Sequence, residues 1–431
     1  MRLSRLAAGL IATAFVCAPA RAAAPARPRG LILISIDTLR ADHLGAYGAS
    51  PAASPAFDAF AAQGILFENA YSAATWTVPS HATILTGLYP SSHGAGGFPE
   101  ENSARGFSPD AATLAELLRA RGFRTAAFHF GPTLDARWGF DRGFDVYETG
   151  HLRDVSTAGA RDERSLLEEW QSTSTTVRAT LEETTFGRAA DWLARQDGRA
   201  PYFLFVHTFA VHRYGRIALD ADGGSSCPPR FDFALNLKNV TSADDPRCPL
   251  ARRRYASAVR CVDGEFGRLM AGLDAAGARD AVVIVVSDHG EALCEARERA
   301  GLIGHGYAPY EEQLRVPLAV RLPDGLFAGR RSSETASLVD VLPTALDALR
   351  LDPPPGTSGT KPAASRSAAP DLRGLGPLAD GAGGRLRVHA LRGRRRGALR
   401  FLVRHGRGPK PRGRSGSARA PRRPARAPAG S

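Results

Sequence analysis

The sequence predicts an α/β fold with a mostly parallel central sheet flanked by helices on both faces. Three observations carry that expectation. Apolar runs stand at Leu31–Ile36, interrupted by Ser35, and unbroken at Tyr202–Val206 and Ala281–Val286, each followed by polar residues. Segments of helical period lie between them. Finally, 43% of the 431 residues are apolar, enough for one large domain or two modest ones with a sizeable core. Strands apolar throughout are buried on both faces, as in a parallel sheet covered by helices.

Taken in order, residues 1–22 have the form of a secretory signal. Arg2 and Arg5 make a basic start, Leu6 to Val16 an apolar run too short to span a membrane comfortably, and Ala20-Arg21-Ala22 a cleavage site. A periplasmic or secreted protein without stable membrane insertion follows, an uncleaved anchor being the alternative. Four cysteines remain, and disulfides are allowed outside the cytoplasm. Cys227 and Cys248 bracket a Pro- and Asp-containing segment and would pair first, leaving Cys261 with Cys294.

Leu31 to Ile36 reads as a buried strand that ends at Asp37, a carboxylate on the sheet edge where α/β proteins bind ligands. Pro55 to Gln63 has a helical pattern and Ile65 to Phe67 that of a short strand. The stretch Thr77-Val78-Pro79-Ser80-His81 then opens a short helix, with Pro79 suited to a first turn and Gly87 to a left-handed stop. Its amides and dipole favour an anion, so the Thr77 hydroxyl could share that end with a sulfate or phosphate group. His81, one turn on, is placed to reach Thr77 or its substrate. A helix entry merely capped by Thr77 is the structural alternative.

Further along, a helix is expected over Thr113–Arg121 with Gly122 as its stop, a strand over Thr125–Phe130, and a helix over Gly187–Gln196. Residues 150–185 and 215–250 are polar or Gly/Pro/Cys-rich and read as insertions over the cleft. His207 ends the strand that begins at Pro201, and His212 follows five residues later. After a long helix over Tyr255–Leu273, six apolar residues, Ala281–Val286, lead into Ser287-Asp288-His289-Gly290-Glu291. That pattern repeats the logic of Asp37 at a second strand end, and Asp with neutral His suits a divalent cation.

Several of these stretches resemble motifs of the sulfatase family, in the alkaline phosphatase superfamily. Asp37 with the following Leu39-Arg40-Ala41-Asp42-His43 resembles its opening motif, in which the first Asp ligates the metal; Thr38 stands where a second Asp is common. The nucleophile signature is matched at Pro79, Ser80, Leu85, Thr86 and Gly87. Thr77 replaces the Cys or Ser that sulfatases oxidise to formylglycine, and His81 replaces an Arg. A threonine would oxidise to a ketone, and relatives that transfer phosphoglycerol or phosphoethanolamine use an unmodified Thr. Gly304-His305-Gly306 resembles the family's Glu-His-Gly, and His212 its loop histidine.

The resemblance covers residues 30–353 and implies a catalytic domain over 28–355. It implies metal ligands Asp37, Thr77, Asp288 and His289, and catalytic roles for Thr77, His81, His212 and His305. One divalent ion is implied: calcium by family, with manganese, zinc or magnesium as alternatives. The implied substrate is a small-molecule or glycan ester of sulfate or phosphate. An envelope phosphoglycerol- or phosphoethanolamine-type transferase and an inactive sulfatase-like binding protein are the other readings. From Gly356 onward stand 19 basic and 2 acidic residues, so the net charge of +13 belongs to this tail and the slightly acidic body gives no reason to invoke nucleic acid. The 356–431 segment reads as a disordered, low-complexity tail.

Overall fold

The computed structural model describes residues 28–50, 53–97, 105–149, 175–216, 219, 240, 242–295, 303–306 and 308–353. The signal-like start and the basic tail lie outside these residues, as does most of both insertions. Among the described strands, β1 (Gly30–Ile36), β3 (Arg124–His129), β4 (Val146–Thr149), β5 (Tyr202–Thr208) and β6 (Ala281–Val286) run parallel. They continue through β10 (Leu318–Arg321) to β2 (Ile65–Tyr71) and β11 (Arg330–Ser337), in the order β11-β2-β10-β6-β1-β5-β3-β4. β10 is antiparallel to both its neighbours, β11 is parallel to β2, and the two-residue β9 (Arg315–Val316) pairs with β2. The mostly parallel α/β sheet expected from the sequence is thus the one observed.

All seven residues of β1 are buried, because each face of the sheet carries helices. Ile32, Ile34 and Ile36 join one apolar layer with Phe57 of α1 (Pro55–Ala62), Trp192 of α5 (Thr175–Ala194) and Phe266 of α6 (Arg247–Ala275). Leu31 and Leu33 join the other, with Ile84 of α2 (Thr77–Thr86), Leu114 of α4 (Leu114–Arg119) and Leu342 of α8 (Val341–Ala348). Two short helices, α3 (Pro90–His93) and α7 (Glu311–Leu314), sit in connections. Thr113 caps α4 through a reciprocal bond with Glu116, and Gly87 ends α2 in the left-handed conformation at φ 63°.

Two expectations change. The helix expected from Tyr255 starts at Arg247, which puts Cys248 on its first turn instead of in a loop. Cys248 is therefore beside Cys294, not Cys227, and the two are bonded with Cα atoms 5.9 Å apart. Cys261 is also disulfide-bonded, while Cys227 lies outside the described residues. The Cys248–Cys294 link packs against Ile303 and ties α6 to a hairpin of β7 (Ala292–Leu293) and β8 (Ile303–Gly304).

Candidate active site

Three elements meet at the carboxyl ends of β1 and β6. The Asp37 amide continues the β1 ladder by donating to Thr208 O, and the chain then turns through Thr38 at φ 56°. That left-handed residue is held on both sides: its N–H donates to Asp288 Oδ1 at 3.2 Å, and its carbonyl accepts from Tyr255 Oη at 2.6 Å. The next amide, Leu39, donates to Ser287 Oγ at 2.9 Å. The two strand-end loops are thereby laced together. α2 is fastened to the same loop, because Ser80 Oγ donates to Asp288 O at 2.5 Å and also bonds Ser72 Oγ.

This lacing places the Thr77 hydroxyl, 2% exposed, at the first residue of α2. It donates to Asp37 Oδ2 at 3.3 Å and lies 3.4 Å from His289 Nε2. His289 Nε2 is in turn 3.8 Å from Asp37 Oδ1 and 3.4 Å from Asp288 Oδ2. Its other nitrogen, Nδ1, faces the Gly290 carbonyl at 2.9 Å, which can only accept; Nδ1 therefore carries the hydrogen and Nε2 a lone pair. Ligand atoms of Asp37, Asp288 and His289 all lie within 4.8 Å of one another, fully buried.

Electron pairs converge here with nothing among the described residues to balance them. Asp37 Oδ1 and Asp288 Oδ2 have no hydrogen-bond donor. Burial, and the neighbouring Asp288 charge, hold the Asp37 carboxyl well above the usual carboxylate range; burial also raises Asp288. His289 is pushed down to about 3 by burial and by His305, so it is a neutral imidazole. Two orphaned carboxylate oxygens, an imidazole lone pair and a hydroxyl form the donor set of a divalent cation, and these residues fit one.

The remaining expected residues divide into a floor and a mouth. His81 belongs to the floor: Nδ1 donates to Thr77 O at 3.0 Å, Nε2 accepts from Ser35 Oγ at 2.9 Å, and the ring is wholly buried. It reaches Thr77 through that carbonyl and sits 3.4 Å from Asp288 Oδ2. His207 lies beside it, ring centroids 4.7 Å apart, with Nε2 3.6 Å from Asp37 Oδ2. Burial keeps His207 neutral, well below its ordinary pKa.

His212 and His305 are half-buried and form the mouth, with ring centroids 5.0 Å apart. His305 also lies against His289, at 4.5 Å, and His212 stacks on Phe209 at 4.0 Å. Burial and the neighbouring His305 hold His212 well below its ordinary pKa. Sequence reading missed two groups here. Glu291 Oε2 accepts from His305 Nδ1 at 2.5 Å, and Tyr214 Oη donates to Glu291 Oε1 at 2.8 Å. The position of Glu291, two residues past His289, was a usable signal; nothing in the sequence marked Tyr214.

A family model described as Sulfatase matches residues 29–351. The chain is 26% identical over 358 residues to human N-acetylgalactosamine-6-sulfatase, covering 76% of this chain and 63% of that protein. It is 29% identical over 411 residues to the steryl-sulfatase of Mus musculus, covering 79% of this chain and 65% of that one. The chain thus spans less than two thirds of the length of these relatives. Among solved structures, the phosphonate monoester hydrolase of Agrobacterium radiobacter superposes with a TM-score of 0.57 at 21% identity, over 75% of this chain and 74% of that one. The match over three quarters of the sequence and the shared fold establish that the chain belongs to the sulfatase family.

Proposed function

We propose that this chain is a metal-dependent hydrolase of sulfate or phosphate esters with Thr77 as its nucleophile. The placement of the Thr77 hydroxyl carries this reading: it stands at a helix start, 3.3 Å from Asp37 Oδ2 and 3.4 Å from His289 Nε2. A divalent cation held by Asp37, Asp288, His289 and Thr77 would supply Lewis acidity that lowers the pKa of this hydroxyl. The imidazole ligand and the replacement of a second Asp by Thr38 favour zinc or manganese over the calcium expected by family, with magnesium less suited to a nitrogen donor.

In the reaction, Thr77 passes its hydroxyl proton to Asp37 Oδ2 and its Oγ1 bonds to the sulfur or phosphorus as the bond to the ester oxygen breaks in line; the leaving oxygen takes up a proton, and water then cleaves the threonine ester to free the hydroxyl. The amides at the start of α2 face the charge that grows on the non-bridging oxygens. His212 or His305, at the mouth, contacts the leaving oxygen. His81 and Ser35 hold the floor. Because a threonine cannot become an aldehyde, the site suits a phospho-threonine intermediate better than the usual sulfatase route. Transfer of such an intermediate to an envelope acceptor is a second reading, favoured by the same Thr77 together with the Asp288-His289 pair. The disulfides fit an exported protein.

The test is to purify the protein, measure bound metal, and compare turnover of an aryl sulfate and an aryl phosphate by wild type and Thr77→Ala. Metal-dependent hydrolysis lost in the variant supports the reading. Equal background rates in both proteins would leave a sulfatase-like binding protein instead.

A further inference from the structure

We propose that Tyr255 is a positioning residue for the candidate cation site: it holds Thr38 in the left-handed conformation and so keeps Asp37 and Asp288 converged. The inference rests on the reading of that cluster as a metal centre. Tyr255 lies on α6, fully buried, and uses both functions of its hydroxyl on one turn. Oη donates to Thr38 O at 2.6 Å and accepts from the Arg40 N–H at 2.9 Å. The ring is met edge to face by His43, with centroids 4.7 Å apart, and by Tyr214 at 5.4 Å.

Thr38 needs such a hold. It is a β-branched residue at φ 56°, a conformation that residues other than glycine avoid and that branching at Cβ makes worse. Its own side chain offers no compensation, because Oγ1 is buried and meets no hydrogen-bond partner among the described residues. What the conformation achieves is an aim for the backbone. The Thr38 N–H donates to Asp288 Oδ1 at 3.2 Å, and the His289 N–H donates to the same oxygen at 2.9 Å. With Oδ1 held twice, Oδ2 is the oxygen left to face His289 Nε2, at 3.4 Å. A Thr38 relaxed to negative φ would withdraw its N–H from Asp288 and turn the preceding residue, Asp37, out of line. The strained turn is thus kept by a phenol on a distant helix, as strain at a working site requires.

The test measures two quantities on the full chain. One is the zinc Kd, by competition with a chromophoric chelator; the other is hydrogen exchange of the Leu39 amide, read by NMR on 15N-leucine-labelled protein without metal. Tyr255→Phe keeps the ring and should raise the Kd about 10- to 100-fold, with exchange at Leu39 faster by about tenfold or more. Adding Thr38→Gly removes the penalty on the left-handed turn, so the double variant should return to within about threefold of wild type in both quantities. Its melting temperature should stay low, because the carbonyl of that turn and the Arg40 N–H still lack their partner. A tyrosine that mattered only for stability would show no such rescue. Thr38→Val keeps the branched strain and removes Oγ1, and should bind zinc like wild type. Unchanged Kd and exchange in Tyr255→Phe, or no rescue by the glycine, overturns the proposal; zinc binding lost in Thr38→Val overturns it too, by assigning the role to the hydroxyl. Should Tyr255→Phe fail to fold, Thr38→Gly with the tyrosine in place is expected to keep the wild-type Kd, and a weaker one overturns the proposal. If wild type binds no zinc, the functional reading fails instead, and exchange at Leu39 decides whether Tyr255 holds the turn.

Discussion

Ser80 donates its hydroxyl to the backbone carbonyl of Asp288 at 2.5 Å, so the helix that begins with Thr77 is pinned to the loop that supplies two of the candidate ligands. Ser80 is fully buried, and its hydroxyl also meets Ser72. Ser80→Ala should leave the Asp288 carbonyl unsatisfied, costing about 1–3 kcal/mol of stability. Turnover should fall as well, because Thr77, the proposed nucleophile, is no longer held. Denaturant unfolding and steady-state kinetics measure the two effects; a variant as stable and as active as wild type would show that the pin is dispensable.

Thr77→Ala removes the oxygen proposed to attack, and turnover is expected to drop about 10³-fold or more. Thr77→Ser keeps a hydroxyl at the helix start and should retain most of the metal affinity with partial activity. Rapid acid quench followed by intact-mass measurement should reveal a covalent ester on wild type and on Thr77→Ser but not on Thr77→Ala. An adduct on Thr77→Ala would assign the nucleophile elsewhere.

Cation binding should be visible as stability. Asp37 and Asp288 face one another inside the protein with their carboxyls held above the normal range by burial, a conflict that a cation resolves. At a free concentration 100 times the Kd, one bound ion adds about 2.7 kcal/mol. Thermal unfolding with and without chelator should show the difference, with zinc or manganese restoring more than calcium. Asp288→Asn should weaken the affinity more than about 100-fold, a larger loss than removal of a supporting residue gives. Identical melting of chelated and metal-treated protein would argue against the site.

His93 contributes to the dependence on acidity alongside the buried His207, His212 and His289, whose pKa values burial also lowers. Its Nδ1 accepts the Ala95 N–H at 3.0 Å and its Nε2 lies 3.1 Å from Thr83 Oγ1, so the neutral ring is satisfied, and burial pushes its pKa down from 6.5 to about 4. The unfolded chain therefore binds the extra proton between about pH 6.5 and 4 while the folded one does not. Stability should be complete above that window and decline as pH falls through it, by up to about 3 kcal/mol. His93→Gln should flatten this slope in denaturant titrations at pH 7 and 4.5. An equally steep slope in the variant would move the effect to other groups.

Reduction supplies a further check. The Cys248–Cys294 bond closes a loop of 46 residues, and the Cys248→Ser, Cys294→Ser double variant should lose about 3 kcal/mol. The Asp37, Asp288 and His289 cluster lies on other elements, so metal stoichiometry should survive. Loss of the metal together with the bond would mean that the hairpin supports the whole site.

Much of this arrangement was legible in the sequence because β1, β5 and β6 are largely apolar on both faces, a signal that a covered parallel strand of this length produces. Asp37 and Asp288 stood out by ending such runs. β11 did not, since Arg330, Arg331 and Glu334 give it a polar surface and its partner β2 lies some 260 residues away in sequence. The surroundings of His81 were not legible for a related reason. Helical spacing put it near Thr77, but one turn of helix cannot tell which side is buried, and Ser35 on a distant strand decides that. Tyr214 escaped because a phenol in a loop carries no mark of its partner. The cysteine pairing failed where α6 began a full two turns before its expected start.

The order of the strands also constrains how the chain can reach this state. Among the described residues, β2, complete by residue 71, finds its sheet neighbours in β9, β10 and β11, all beyond residue 314. A nascent chain must keep that strand unpaired while some 240 further residues leave the ribosome, so the half of the sheet behind Thr77 closes last and over a long sequence separation. Fragments that stop short of Arg315 are expected to expose Ile65, Leu66 and Phe67 and to be handled by chaperones or degraded rather than to persist as a smaller enzyme.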